Sequence, residues 1–189
     1  MHETLSHGDF IMSRINTPAL DTATGATAEV FAAIKKAVGA VPNAYAAIGA
    51  LTPTALQAYL ATDGVLANGT LDKKDIETIR IVTSQATGCD YCLTAHTVVG
   101  KMVGLPLDTL RQLNAGQPIG DAKRDALAAF VRILVETTGT ITDAQFAAIK
   151  AAGYTEVQLA EISLTIAQIL FTNIFNRIND TDIDFPEVV

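Results

Sequence analysis

The stretch E-T-I-R-I-V-T-S-Q-A-T-G-C-D-Y-C-L-T-A-H, residues 77–96, decides how the rest of the chain is read. Ile76, Ile79, Val82, Thr83 and Ala86 recur at helical spacing and predict a helix from Lys73 to about Thr87. Asp72 is its N-cap candidate, with Asp75 in a capping-box-like position. Glu77 falls on the edge of the apolar stripe. Gly88 breaks the helix, and a second is predicted from near Cys89 to Val103, with Gly104 as its stop. The break sets both cysteines of the protein, Cys89 and Cys92, on the first turn of that second helix. His96 is the only histidine outside the N-terminal region, where His2 and His7 lie.

Outward from this stretch the pattern stays helical. A helix is predicted from Thr27 to about Val38, and Pro42 starts a short one. The next has Thr52 as cap and Pro53 at N1, and ends at Asn68-Gly69. Gly100, inside the second helix of the central stretch, suggests close packing. Pro106 opens a short helix, and a longer one spans roughly Asp121 to Thr138. Thr142 caps a helix to Ala152, and Thr155 begins a final long one ending near Asn179. No useful strand-period alternation occurs, so the expected fold class is all-α. Residues 1–26 read as a solvated N-terminal arm, and 27–189 as one helical domain.

Composition bounds the function. Hydrophobic residues make up 49 % of 189 and charged residues 17 %, enough to bury a sizeable core. The net charge of −7 argues against a nucleic-acid surface and against docking on anionic lipid. The start lacks a secretory pattern, and the most apolar segment, Ile162 to Ile174, is interrupted by polar residues. A cytoplasmic location without a membrane span is therefore the expectation. Two cysteines three apart close too small a loop to staple a fold, so redox or metal chemistry is the better reading of the pair.

On a helix starting near Cys89, the residues Cys89, Cys92 and His96 share one face. The helix N-terminus favours a thiolate there, and His96 is positioned to accept a thiol proton. Glu77 would not reach Cys89 directly. It could approach His96 and orient the imidazole as the third member of a nucleophile–base–orienter set. A peroxide attacked by one thiolate gives a sulfenic acid, which the second thiol resolves to a disulfide. Spacing to His96 favours Cys92 as the attacking thiol, while terminal position and exposure favour Cys89; the expectation is that Cys92 attacks and Cys89 resolves. Competing readings are a zinc site from Cys89, Cys92, His96 and Glu77, or two core cysteines and a core histidine. A c-type haem site would need histidine after Cys92, where Leu93 stands. Tyr91 could gate the thiols or fill a helix contact. Ser84 and Gln85 could support Glu77 or His96, or face solvent. Asn173, Asn176 and Arg177 are polar among apolar neighbours, fitting a subunit interface or a helix end.

The pattern E-x11-C-x2-C-x3-H of Glu77, Cys89, Cys92 and His96 resembles the alkylhydroperoxidase D-like group of the carboxymuconolactone decarboxylase superfamily. The similarity runs over L-D-K-K-D-I-E-T-I-R-I-V-T-S-Q-A-T-G-C-D-Y-C-L-T-A-H-T-V-V-G-K-M-V-G-L. The flanks V-P-N-A-Y-A-A-I-G-A-L-T-P-T-A-L-Q-A-Y-L and T-N-I-F-N-R-I-N-D-T-D-I-D-F-P resemble its peroxidase-related branch. The resemblance implies a helical homo-oligomer (dimer, trimer or hexamer) that reduces a hydroperoxide through the cysteine pair. Glu77 and His96 would form its proton relay. It implies no cofactor, and a dithiol electron donor such as a lipoyl-bearing adaptor or another thiol reductant. One departure is Tyr91, where the best-studied peroxidases of the group carry a histidine; it leaves room for disulfide-reductase or redox-sensing work by the same dithiol.

Overall fold

The computed structural model describes residues 13–189. Nine α-helices and one short 3-10 turn, Leu20–Thr22, make up the regular structure of the described residues, which contain no strand. In chain order the helices are α1 (Gly25–Val38), α2 (Asn43–Leu51), α3 (Pro53–Ala67), α4 (Lys73–Thr87), α5 (Asp90–Met102), α6 (Leu107–Asn114), α7 (Ala122–Thr137), α8 (Asp143–Ala151) and α9 (Glu156–Asn179).

Helix α4 is the axis. It packs on α7, α5 and α9 at once, and ten consecutive residues from Asp75 to Ser84 are buried. An amphipathic helix buries one stripe, whereas one that is buried all round must find partners for its polar side chains. Ile76, Ile79, Ile81 and Val82 join Leu110, Leu113, Leu127, Val131, Ile149 and Ile162 in the main core. Glu77, Arg80, Thr83 and Ser84 bring polar groups inside with them. Gly100 lets α5 approach its neighbours: a Cβ there would lie 2.9 Å from Leu110 Cδ2 and 3.3 Å from Ile81 Cδ1.

Helix α9 buries Ile162, Ile166 and Ile169, but its inner face is also polar and its outer face also apolar. Thr165, Gln168, Thr172, Asn173 and Asn176 are buried, while Val157, Leu164, Phe171, Ile174 and Ile178 are exposed. By length and mean hydropathy, 1.3, it is the one helix among the described residues that could cross a membrane. Its inward side carries side-chain amides and hydroxyls bonded to α3, α4 and α5.

Several expectations need correction. The first helix starts at Gly25, after Thr24, and Thr27 donates instead to Gly49 O at 3.2 Å. Asp72 caps α4 by accepting from Lys74 N at 2.6 Å. Asp75 closes no capping box, because Tyr154 and Arg124 take its carboxylate. Ala86 is exposed. Thr142 and Thr155 each form a reciprocal capping box, with Gln145 and Gln158. The described part of the expected arm has no buried residue, and it is attached at the end of α9, where Arg14 N and Ile15 N donate to Asn179 O and Oδ1 at 2.6 and 2.8 Å. His2 and His7 lie outside the described residues.

Candidate functional site

The α4–α5 junction is a Schellman turn. Gly88 adopts φ +67°, the left-handed region that favours glycine. Gly88 N donates to Gln85 O at 3.2 Å and Cys89 N to Ser84 O at 3.0 Å. The residue that completes this turn is also the N-cap of α5. Cys89 Sγ accepts from Cys92 N at 3.4 Å, as a serine or aspartate cap would. The C-x-x-C spacing is thus the capping geometry itself, with Cys92 on the first turn.

Both thiols are free, and each is only 2 % exposed. Hydrogen bonding from the neighbouring Cys92 thiol is the largest influence that lowers the Cys89 thiol below its ordinary value of 9.0. Burial opposes the shift; the Cys92 backbone N–H and the charge of Arg177 support it. The same hydrogen bond, burial and the Cys89 charge push Cys92 far up, only partly offset by Asn176 and Thr172. The first thiolate of the pair therefore forms on Cys89. Asn176 Nδ2 donates to Cys92 Sγ at 3.3 Å and fixes the second sulfur.

Glu77 and His96 meet: His96 Nδ1 lies 2.9 Å from Glu77 Oε2. Glu77 Oε1 accepts from Arg80 Nη1 at 2.8 Å. Burial raises the Glu77 carboxyl, but His96 and Arg80 together outweigh it and keep it below 4.5. Arg80 in turn bonds to Asp63 and, at 2.9 Å, to Gln168 Oε1. Gln168 Nε2 closes the set on Asp63 Oδ1 at 2.8 Å. The imidazole is thereby anchored through Nδ1, and Nε2 has no protein partner among the described residues. No direct hydrogen bond joins His96 to either thiol, which leaves a water-mediated path as the route for a proton between Cys92 and His96. Greater exposure of Cys89 does not distinguish the thiols either, since both are equally buried. Among the described residues no group of three or more His, Cys, Asp and Glu side chains is disposed to hold a metal ion. The four groups divide into a dithiol and a carboxylate–imidazole pair rather than forming a ligand set.

Sequence reasoning missed several partners. Tyr91 OH accepts from Ala44 N at 3.1 Å and donates to Asp184 Oδ1 at 2.8 Å, and its ring meets Phe185 edge-on at 5.6 Å. The residue between the cysteines therefore pins the C-terminal segment beside the dithiol. Ser84 Oγ lies 3.3 Å from Asn173 Oδ1, not against Glu77 or His96. Gln85 lies by Gly116. Asn173 Nδ2 donates to Thr87 Oγ1 at 2.8 Å and Arg177 Nη1 to Thr87 O at 2.7 Å, so both clasp the end of α4 within the chain. Arg80, Asp63 and Gln168 come from three helices, and no local spacing marks them. The one available signal was a charged side chain, Arg80, within an apolar run one turn from Glu77.

Residues 53–136 match the carboxymuconolactone decarboxylase family. No curated protein matches the sequence. Among solved structures, a peroxidase-related protein from Ralstonia eutropha JMP134, described as an alkylhydroperoxidase AhpD core, is 21 % identical. It aligns over 93 % of this chain and 94 % of its own, with a TM-score of 0.81. A peroxidase-related protein from Silicibacter sp. TM1040 is 19 % identical over 95 % of each chain, TM-score 0.79. The debrominase Bmp8, as a cysteine-to-alanine variant in complex with 2,3,4-tribromopyrrole, is 19 % identical over 91 % of this chain and 94 % of its own, TM-score 0.76. These likenesses establish a shared all-helical architecture.

Proposed function

We propose that this chain is an AhpD-like member of the carboxymuconolactone decarboxylase superfamily, a reading that the family match and the shared fold support, and that it is a thiol-dependent hydroperoxide reductase. The observation that carries the reading is the capped dithiol: Cys89 Sγ receives the Cys92 backbone N–H at 3.4 Å, and its neighbours lower the thiol below its ordinary value, which favours the thiolate as the attacking form. The Cys89 thiolate attacks the terminal oxygen of R–O–O–H. An S–O bond forms, the O–O bond breaks, and the alkoxide leaves as R–OH after taking a proton. His96, held at Nδ1 by Glu77, presents Nε2 as the group that delivers this proton. Cys92 Sγ then attacks the sulfenic sulfur, an S–S bond forms and water departs. A dithiol donor, of lipoyl type or another thiol reductant, restores both thiols by two exchanges and is itself oxidised to a disulfide. No bound cofactor enters this cycle. The reading places the protein in a reducing compartment, the cytoplasm.

The test is hydroperoxide consumption with a dithiol donor. Wild type turns over, and Cys89→Ser and Cys92→Ser do not; wild-type rates in both variants contradict the proposal. In Cys92→Ser a sulfenate is trapped on Cys89, whereas a sulfenate on Cys92 in Cys89→Ser alone would reverse the assignment of roles.

The near-complete burial of both sulfurs favours a second reading, in which the dithiol works as a disulfide reductase or redox sensor with little peroxide turnover. Dithiol–disulfide exchange without peroxide consumption would select it. The same proposal has the protein as a homo-oligomer, assembling on the exposed apolar side chains Val65, Val157, Leu164 and Phe171. Light scattering on Phe171→Asp tests this: the variant should be smaller than wild type.

A further inference from the structure

A cavity of about 580 Å³ opens between the end of α4, the second half of α9 and the segment around Arg14. We propose that it is the substrate-binding site, and that it takes an organic hydroperoxide bearing a carboxylate, with the carboxylate on Arg177 and the apolar body on Ile174 and Ile178. This inference rests on the proposed peroxidase reading and adds the chemical class of the substrate.

Charge favours such an occupant. The chain has 20 acidic and 13 basic residues, yet two guanidiniums, Arg14 and Arg177, line this cavity. Arg14 is shared with Asp180 Oδ2 at 3.6 Å. Arg177 has no carboxylate within ion-pair distance among the described residues; it spends one N–H on Thr87 O at 2.7 Å. Its remaining donors suit a carboxylate, which a guanidinium binds through paired hydrogen bonds. A helix C-terminus repels anions, but here Arg14 Nη1 donates to Arg177 O and Ile178 O at 3.2 and 3.0 Å and covers those carbonyls.

Shape and polarity agree. The volume lies in the range of small-molecule sites. Ile174 and Ile178 are 57 % and 58 % exposed beside the arginines, while Asn173 is buried among the lining residues. An apolar wall beside a cation fits an amphiphilic anion better than a free inorganic one.

Position links the cavity to the dithiol. Thr87, part of the lining, is followed directly by Gly88 and Cys89. The charge of Arg177 also acts on the Cys89 thiol. An anion held on Arg177 is therefore held beside the turn that carries Cys89.

The test uses octanoate, a redox-silent probe, with octanol as its neutral counterpart and full-length protein in calorimetric titrations. Octanoate should bind wild type more tightly than octanol does. Arg177→Gln should lose about tenfold in octanoate affinity, Arg177→Lys should keep most of it, and octanol should not discriminate. Ile178→Asp, an exposed change that sets a like charge on the wall, provides a second variant if Arg177→Gln does not fold; it too should lose octanoate. Equal binding of octanoate and octanol to wild type overturns the proposal, including the case in which a second subunit or the N-terminal residues fill the cavity. Undiminished octanoate binding to folded Arg177→Gln overturns it as well. Turnover separates this site from the activity. Arg177-dependent octanoate binding with no hydroperoxide consumed leaves the site and removes the peroxidase reading. Equal kcat/KM for carboxylate-bearing and neutral hydroperoxides, unchanged in Arg177→Gln, leaves the peroxidase reading and removes the substrate site.

Discussion

Two carboxylates two residues apart on α4, Asp75 and Glu77, are 2 % and 3 % exposed, and each meets an arginine. They behave oppositely. Burial dominates at Asp75 and raises it above 3.8, although Arg124 and the Tyr154 hydroxyl pull it down. At Glu77 the partners win and the carboxyl falls below 4.5. The difference lies in how the cation is shared and aimed. Arg124 also serves Asp121 at 2.7 Å and Asp72 at 3.7 Å, and its 2.9 Å contact with Asp75 is not aligned as a hydrogen bond. Glu77 has both oxygens hydrogen-bonded, one to His96 and one to Arg80, while Arg80 is itself braced by Gln168 and Asp63. One cluster ties the start of α4 to α7 and to Tyr154 beyond α8. The other keeps a charged carboxylate beside an imidazole whose second nitrogen is unengaged. Burial alone does not distinguish a structural acid from an orienting one; the number and alignment of its donors do.

Activity should separate the two clusters most widely. Glu77→Gln removes the charge that orients His96, and kcat/KM for hydroperoxide should fall about 100-fold, a typical magnitude for acid–base assistance. Asp75→Asn should stay within about twofold of wild type in the same assay; equal losses would erase the distinction. Stability comes next. Arg80→Met leaves Glu77 and Asp63 facing a buried gap and should cost about 3 kcal/mol by denaturant unfolding. Arg124→Met, at a side chain 22 % exposed, should cost roughly 1 kcal/mol, because its contact with Asp75 is not aligned as a hydrogen bond, its other acids, Asp72 and Asp121, face solvent, and Asp75, already raised above 3.8, can take up a proton.

The acid limb of stability separates the clusters by sign. The Glu77 contribution is present above pH 4.5 and lost as pH falls through its depressed folded value. Asp75, raised from 3.8, takes up its proton more readily when folded, so falling pH favours the native state through this group. Urea midpoints against pH should therefore fall less steeply at acid pH in Glu77→Gln and more steeply in Asp75→Asn than in wild type. The smallest effect concerns Cys89. Thiolate absorbance should titrate below 9.0 in wild type and move upward in Cys92→Ala, where burial persists and only a backbone donor remains; an unmoved curve would show that the Cys92 thiol contributes nothing.

Helix boundaries were readable wherever a side chain or a glycine imposes them. Asp72, Thr142 and Thr155 cap as their types predict, and Gly39, Gly88 and Gly104 take positive φ. The start of α1 was misplaced because Thr24 caps it without a side-chain hydrogen bond, so the threonine pattern carried no register. The grouping of Cys89, Cys92, His96 and Glu77 was legible because twenty residues folded across one glycine hold all four. Their internal pairing was not. Whether His96 turns to a thiol or to Glu77 depends on Arg80, Asp63 and Gln168, which converge from helices far apart in sequence. Likewise Tyr91 looked like a missing catalytic group, and its role as an anchor for Asp184 and Phe185 depends on a contact spanning 93 positions.

The most direct test of dithiol peroxidase chemistry is intact-mass and peptide mapping of fully reduced protein after one equivalent of an organic hydroperoxide, without donor. One equivalent should be consumed, the alcohol should appear, and the protein should lose two hydrogens as a Cys89–Cys92 disulfide which a dithiol then reverses. Consumption of hydroperoxide with both thiols still free, or both thiols unreacted while the hydroperoxide persists, would contradict it.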